Sequence, residues 1–232
     1  MRKTRRKESD LRAIRDIAVQ FLYLEVIPTS IPFVVQHPFF SSSSCYLPQE
    51  KKWVDIMDDE EGLFCVREKM EKLIQKSDCD KIIFLIQKPY RLTFLKYIKN
   101  SLSKPDFSHF LAKTYLYTEF PSSDVNVPVS TLKRWFQAAD KQHLMSEGEK
   151  AHFFALPNKV TVYRGITDLK GVNGLSWTED QRIALKFANR FRTKEAYVLT
   201  AEIDRDEIIA YFDRANEKEI ICQPKEYTVQ KI

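Results

Sequence analysis

The chain has 232 residues, 44% of them hydrophobic, with 16 Phe and 10 Tyr, enough apolar material for one domain or two small ones. With 37 basic and 32 acidic residues it carries +5, an excess that permits a nucleic-acid partner without demanding one. Only 5 Gly argue against collagen-like repeats and glycine-rich phosphate loops. The four cysteines (Cys45, Cys65, Cys79, Cys222) have no C-x-x-C spacing and do not cluster with His37, His109, His143 or His152. Neither a metal site nor a disulfide framework is expected; buried thiols in a reducing cytosol are the default.

Residues 1–9 read as a basic tail, solubilising rather than nucleic-acid-binding. The charges at Arg12, Arg15, Asp16 and Glu25 interrupt any signal-peptide core, and no apolar run reaches membrane-helix length, so a cytoplasmic protein is expected. Asp10 caps a helix to about Glu25, with Leu11, Ile14, Ala18, Phe21 and Leu22 at helical spacing. Residues 28–50, with four prolines and Ser41–Ser44, read as a long irregular loop. A helix is expected from about Asp59 to Lys76, with Phe64, Met70, Leu73 and Ile74 on its apolar side. Lys81–Gln87 is a continuous apolar run of strand length, though a buried helical turn fits it too. Pro89 opens a helix through about Leu102 that buries Phe94, Leu95 and Ile98 and leaves Arg91, Lys96 and Lys99 outside. No chemistry is legible up to about residue 105.

A further helix spans Phe107–Tyr117, and 119–130 is a loop. Ser130 caps a helix through about Ala139, and Ser146 with Glu149 is a capping box for a helix to about Ala155. Val160–Tyr163 is a strand ending on Arg164-Gly165. Thr178 with Gln181 repeats the capping spacing ahead of a helix whose apolar face is Ala184, Leu185, Phe187, Ala188 and Phe191. Strands follow at Ala196–Ile203, Ile208–Phe212, Glu219–Cys222 and Tyr227–Gln230. This is a mixed α+β pattern without the strand–helix rhythm of a doubly wound sheet, and G-x-G-x-x-G is absent.

Three polar islands stand out in 160–222: Arg164 followed by Gly165, the pair Ser176 and Thr178, and the pair Glu217 and Glu219. Residues two apart on a strand face the same way. A guanidinium at a sheet rim, hydroxyls and carboxylates on successive strands suit a ligand with phosphates and ribose hydroxyls. Each piece also has a plain reading: Arg164 as a surface ion-pair partner, Ser176–Gln181 as a helix cap, and the glutamates as a solvated strand end.

The order Arg, S-x-T, E-x-E resembles the Arg–Ser–Glu class of mono-ADP-ribosyltransferases, that of the clostridial exoenzymes and binary toxins. The resemblance covers about the last third of the chain. It implies two small, mainly antiparallel sheets around an NAD cleft in a catalytic domain of 105–232, with 1–104 as a mostly helical layer covering one side. It implies NAD as co-substrate, Glu219 as catalytic carboxylate, Glu217 on the acceptor side, and Ser176 orienting Glu219, with Thr178 beside it. Arg164 would hold the phosphates or the adenosine ribose, backbone at Gly165 would read the nicotinamide amide, and Phe187 with Arg190 would form an F-x-x-R element. E-x-E favours an arginine acceptor on a protein, with a nucleic-acid base as the other acceptor. NAD glycohydrolysis and an inactive fold used as a binding module remain the rivals. The biological settings that fit are a toxin with a neutralising partner protein, an anti-phage effector and a phage-encoded modifier.

Overall fold

In the computed structural model, which describes residues 8–191 and 195–232, aspartates open the first three helices. The basic tail expected over 1–9 lies, for residues 1–7, outside the described residues. Helix α1 (Leu11–Leu22) begins where Asp10 accepts from the Ala13 amide at 3.0 Å, and it buries Ile14, Ala18, Phe21 and Leu22. Two antiparallel ribbons then occupy the predicted irregular loop: β1 (Ile27–Pro28) with β2 (Val35–Gln36), and β3 (Ser44–Leu47) with β4 (Lys52–Asp55). Strands of two to four residues among Ser and Pro carry too little periodicity to be read.

Helix α2 (Glu60–Lys76) is capped by Asp59, which accepts from the Gly62 amide at 2.7 Å. Its buried residues are Gly62 and Ile74, whereas Phe64 is 64% exposed and does not belong to the apolar side. Of the two readings open at 81–87, strand or helical turn, the helical one holds: the run lies largely in helix α3 (Cys79–Leu85). Asp78 accepts from the Lys81 amide at 2.8 Å, and Ile82, Ile83 and Ile86 are buried while Phe84 is exposed, which is helical spacing. A 3₁₀ turn at Lys88–Tyr90 leads into α4 (Arg91–Ile98), which buries Leu92, Phe94, Leu95 and Ile98. Arg91, expected outside, is buried as well. Its guanidinium donates to the Ile86 and Phe84 carbonyls at 2.9 and 3.4 Å, satisfying orphan acceptors at the end of α3.

Backbone contacts divide the chain into two units, one comprising residues up to Lys104 with Lys113–Glu119, the other Pro105–Ala112 with Phe120–Ile232. Helix α5 (Lys104–Leu116) contributes to both. Among the described residues the first unit is thus built mainly of helices α1–α4, with the two short ribbons beside them.

The second unit continues with α6 (Val129–Ala138), α7 (Lys141–Leu144) and α8 (Glu147–Ala155). Helix α6 starts one residue before the predicted cap: the Pro128 carbonyl, not the Ser130 side chain, takes the Thr131 and Leu132 amides. At α8 the capping box is complete, with Ser146 and Glu149 each bonding the other's backbone amide. Then come β5 (Lys159–Ile166), β6 (Ser176–Thr178), α9 (Gln181–Ala188), β7 (Tyr197–Asp204), β8 (Ala210–Phe212), β9 (Glu219–Ile221) and β10 (Thr228–Lys231). Every strand pair is antiparallel, so the unit is mixed α+β with no doubly wound parallel sheet.

Where two sheets are expected, one six-stranded sheet of order β10-β7-β5-β6-β9-β8 forms. Its halves are joined at a single registered pair, Tyr163 with Thr178. The bond from the Arg205 amide to the Asn158 carbonyl sets the phase of β5: even-numbered residues bond β7, and odd-numbered residues turn their amides and carbonyls toward β6. Of those, Tyr163 alone meets a residue of β6 in register. Strand β5 also runs past Arg164-Gly165 to Ile166 instead of ending there.

Gly165 is required by packing. A Cβ there would lie 1.8 Å from the Ala184 carbonyl oxygen and 2.6 Å from the Ala188 nitrogen of α9. Ala184 and Ala188 pack with Ala196, Val198 and Tyr163 in the small cluster beneath that helix. Gly165→Ala should lower stability by about 2 kcal/mol or more, since helix backbone cannot yield as a flexible side chain does; the midpoint of urea unfolding checks this.

Candidate functional site

Strand pairing brings Ser176, Thr178 and Glu219 to one face. Thr178 stands opposite both Tyr163 and Glu219, and Ser176 lies two residues along β6. Residues opposite one another share a face, so Tyr163, Thr178, Ser176 and Glu219 form one set. The Ser176 hydroxyl lies near enough to the Glu219 carboxyl to hold its pKa down. Thr178 is buried, and its hydroxyl donates to the Glu217 carbonyl at 2.8 Å while accepting from the Asp180 amide at 3.1 Å. Thr178 therefore ties the turn before Glu219 to the start of α9.

Glu219 keeps some surface open to solvent, yet its carboxyl is enclosed by protein. That desolvation pushes its pKa up to about 7; the Ser176 hydroxyl pulls down, Glu217 pushes up, and Arg164 and Arg214 pull down.

Arg164 is rooted on the other face, alternating with Tyr163 and grouped with buried Val162. Its guanidinium turns into the gap where β5 and β6 diverge. There Nε donates to the Gly171 carbonyl at 3.1 Å and Nη1 donates to the Ser176 carbonyl. Gly174 leaves room for it, because a Cβ at that position would lie 1.9 Å from Nη2. Arg164 thus braces β5 to the 169–176 loop, and its charge still reaches Glu219. The Gly165 amide and carbonyl face the same gap, away from β7.

The remaining predicted residues lie apart. Phe187 sits in the last turn of α9 and is 36% exposed. Arg190 follows the helix and stacks on Phe120 and Phe191, 5.7 and 5.4 Å from their ring centroids. Among the described contacts neither touches Arg164, Ser176 or Glu219.

The turn before Glu219 is held by residues that the sequence reading did not single out. Ala215, Asn216 and Lys218 all have positive φ, at 56°, 56° and 46°, a conformation that strains side chains other than glycine. The Asp213 amide donates to Glu149 Oε1 at 3.0 Å, the Lys218 amide to Asp213 at 3.3 Å, and the Glu179 amide to the Lys218 carbonyl at 3.3 Å. The Glu179 carboxylate meets His152 Nε2 at 3.1 Å and Lys218 Nζ at 3.8 Å, and His152 stacks on Tyr211 with centroids 4.2 Å apart. Glu149 was legible only as half of a capping box. Its second oxygen does this other work, for which no sequence signal exists.

Two depressions flank the group, neither lined by Arg164, Ser176 or Glu219 themselves. One of about 240 Å³ lies beside Gly174, Trp177 and Tyr227, with Lys133 and Lys225 at its margin. The other, about 620 Å³ and open, lies between β5 and the start of α9.

Among the described residues no group of three or more His, Cys, Asp or Glu is placed to hold a metal ion. Cys222 is buried, which pushes its thiol pKa up, while Cys45, Cys65 and Cys79 are half-buried rather than buried. No helix among the described residues is long and apolar enough to cross a membrane. Compared with family models, curated proteins and solved structures, the chain finds no significant match in any of the three.

A folded pKa of about 7 against an ordinary 4.5 means that the folded state binds the Glu219 proton more tightly than the unfolded chain. The stability this supplies is complete below pH 4.5 and is lost as pH rises through 7. Urea unfolding at pH 5 and pH 8 should show the wild type losing up to roughly 3 kcal/mol through this group, and Glu219→Gln losing none of that share.

Proposed function

We propose that the second unit is an NAD-dependent mono-ADP-ribosyltransferase. The observation that carries this reading is a desolvated Glu219 on the strand paired with that of Ser176, whose hydroxyl lowers its pKa, with Glu217 two residues earlier on a strained turn. Cleaving the bond between nicotinamide and ribose leaves the electron pair on nicotinamide and a cationic ribose. A nearby carboxylate supports that charge, directly or by polarising the 2′-hydroxyl. Glu219 is placed to supply it, and Ser176 fixes its rotamer.

The Gly165 backbone, turned away from β7, suits a carboxamide, which both donates and accepts. Arg164, whose Nε and Nη1 are committed to Gly171 and Ser176, acts on the dinucleotide through its charge and through the shape of the 169–176 loop. The acceptor nitrogen then attacks the ribose carbon and loses its proton to Glu217, which also suits pairing with a guanidinium. An arginine of a protein is the favoured acceptor.

Only ionised Glu219 supports the cation, so nicotinamide release should rise with pH through about 7. Glu219→Gln should abolish both nicotinamide release and transfer while NAD still binds. Glu217→Gln should spare release to water and lose transfer to arginine. Nicotinamide release and acceptor labelling measured in parallel test all three; release at the wild-type rate by Glu219→Gln would overturn the reading.

A further inference from the structure

The gap between β5 and β6 opens on both sides of the Tyr163–Thr178 pair. On one side Arg164 fills it. On the other, β6 turns away at Glu179 to begin α9, and nothing takes its place beside β5. The amides and carbonyls of Lys159 and Thr161 turn toward that side with no hydrogen-bond partner among the described residues. Both residues are exposed, while Val160 and Val162 between and beyond them are buried and anchor the strand.

This unpaired edge of three residues, about 10 Å long at the rise of a strand, is one wall of the groove of about 620 Å³. Glu179, Asp180, Gln181 and Lys218 line the groove with it. Lys218 is the residue between the two glutamates of the site. Thr178, where the groove closes, is the register partner of Glu219.

An exposed strand edge in the middle of a sheet, rather than at its rim, is the geometry that accepts an added strand from another chain. Two outward amide–carbonyl pairs on alternate residues match the repeat of an extended polypeptide and of no small molecule. Arg182 holds Asp180 as an ion pair at 2.8 Å, and Glu179 is engaged by His152 and Lys218, so the facing wall is charge-compensated. It would neither repel a polypeptide nor select a strongly charged one.

We propose that the Lys159–Thr161 edge receives an extended segment of the acceptor protein as an added antiparallel or parallel strand, which delivers its modified residue to the Glu217 side of the site. That the segment belongs to an acceptor rests on the transferase reading; that the edge binds an extended polypeptide does not.

Thr161→Pro removes the outward amide without touching a bond to β7, since Thr161 does not bond that strand. Gln181→Trp fills the groove from α9 and leaves β5 unaltered, so it serves if the proline variant fails to fold. The probe is a panel of fluorescent ten-residue peptides, each with one arginine, and the same peptides methylated at alternate backbone nitrogens. Binding is read by anisotropy without NAD, and nicotinamide release to water is read separately. The expected result is binding by the wild type, at least tenfold weaker binding by both variants, sensitivity to methylation at one parity of positions only, and nicotinamide release within twofold of wild type. Absence of peptide binding to the wild type, equal binding by the folded variants, or wild-type self-association that either variant abolishes would overturn the proposal. Failure of the wild type to release nicotinamide would overturn the transferase reading and leave the anisotropy result to decide the groove.

Discussion

One registered contact organises the second unit: Tyr163 opposite Thr178. Among the described residues it is the only pairing between two three-stranded halves, and the chain diverges on both sides of it. The core side of β5 is continuous, with Val160, Val162 and Ile166 buried in alternation, so the halves are held by packing while their backbones separate. This splay is what exposes main-chain groups inside a sheet, where they would otherwise be consumed by the ladder. The Arg164 brace is a consequence of it. A guanidinium replaces the missing strand bond to the Ser176 carbonyl, and Gly174 must be glycine to admit it.

The carboxylates are positioned by opposite means. Glu219 sits on a strand, fixed by register, and its environment costs it charge. Glu217 sits at the end of an irregular turn, and its position depends on hydrogen bonds from other elements: Thr178 to its own carbonyl, Glu149 to Asp213, and Glu179 to Lys218. Helix α8, with no proposed role at the reacting atoms, therefore sets the shape of the turn through Glu149 and His152.

The sequence was most informative where local chemistry and burial agree. Asp10, Asp59 and Ser146 are all places where a capping side chain meets helical apolar spacing, and those helices stand where the pattern puts them; α9 also forms, but its cap is Asp180 and not Thr178, whose hydroxyl is taken up by the Glu217 carbonyl and the Asp180 amide. It left the choice open where a short apolar run satisfies two periods, as at Ile82–Ile86, and misled where a charged residue finds buried acceptors, as Arg91 does. At the site, spacing of two on a strand was enough to put Ser176 and Thr178 on one face; that Glu219 joins them rests on the pairing of β6 with β9, and Glu217 lies in the turn before that strand rather than on it. Gly165 was read as open backbone for a ligand, but its missing side chain is explained first by α9. Arg164 could not be read as a brace, since its partners are backbone carbonyls that no residue type announces. The single-sheet topology was equally hidden, because it rests on one pair.

The turn from Asp213 to Lys218 has a bearing on how such a protein changes over generations. Three of its residues hold a backbone conformation for which glycine is the natural occupant, yet none is glycine. Ala215 and Lys218 each forgo on the order of 1 kcal/mol, and Asn216 less, since its short amide side chain tolerates this region, so glycine at Ala215 or Lys218 would relieve the fold and loosen the turn in one step. Selection for heat tolerance alone would drift toward such replacements, at the cost of a fixed backbone at Glu217. The segment is where robustness and precision are set against each other.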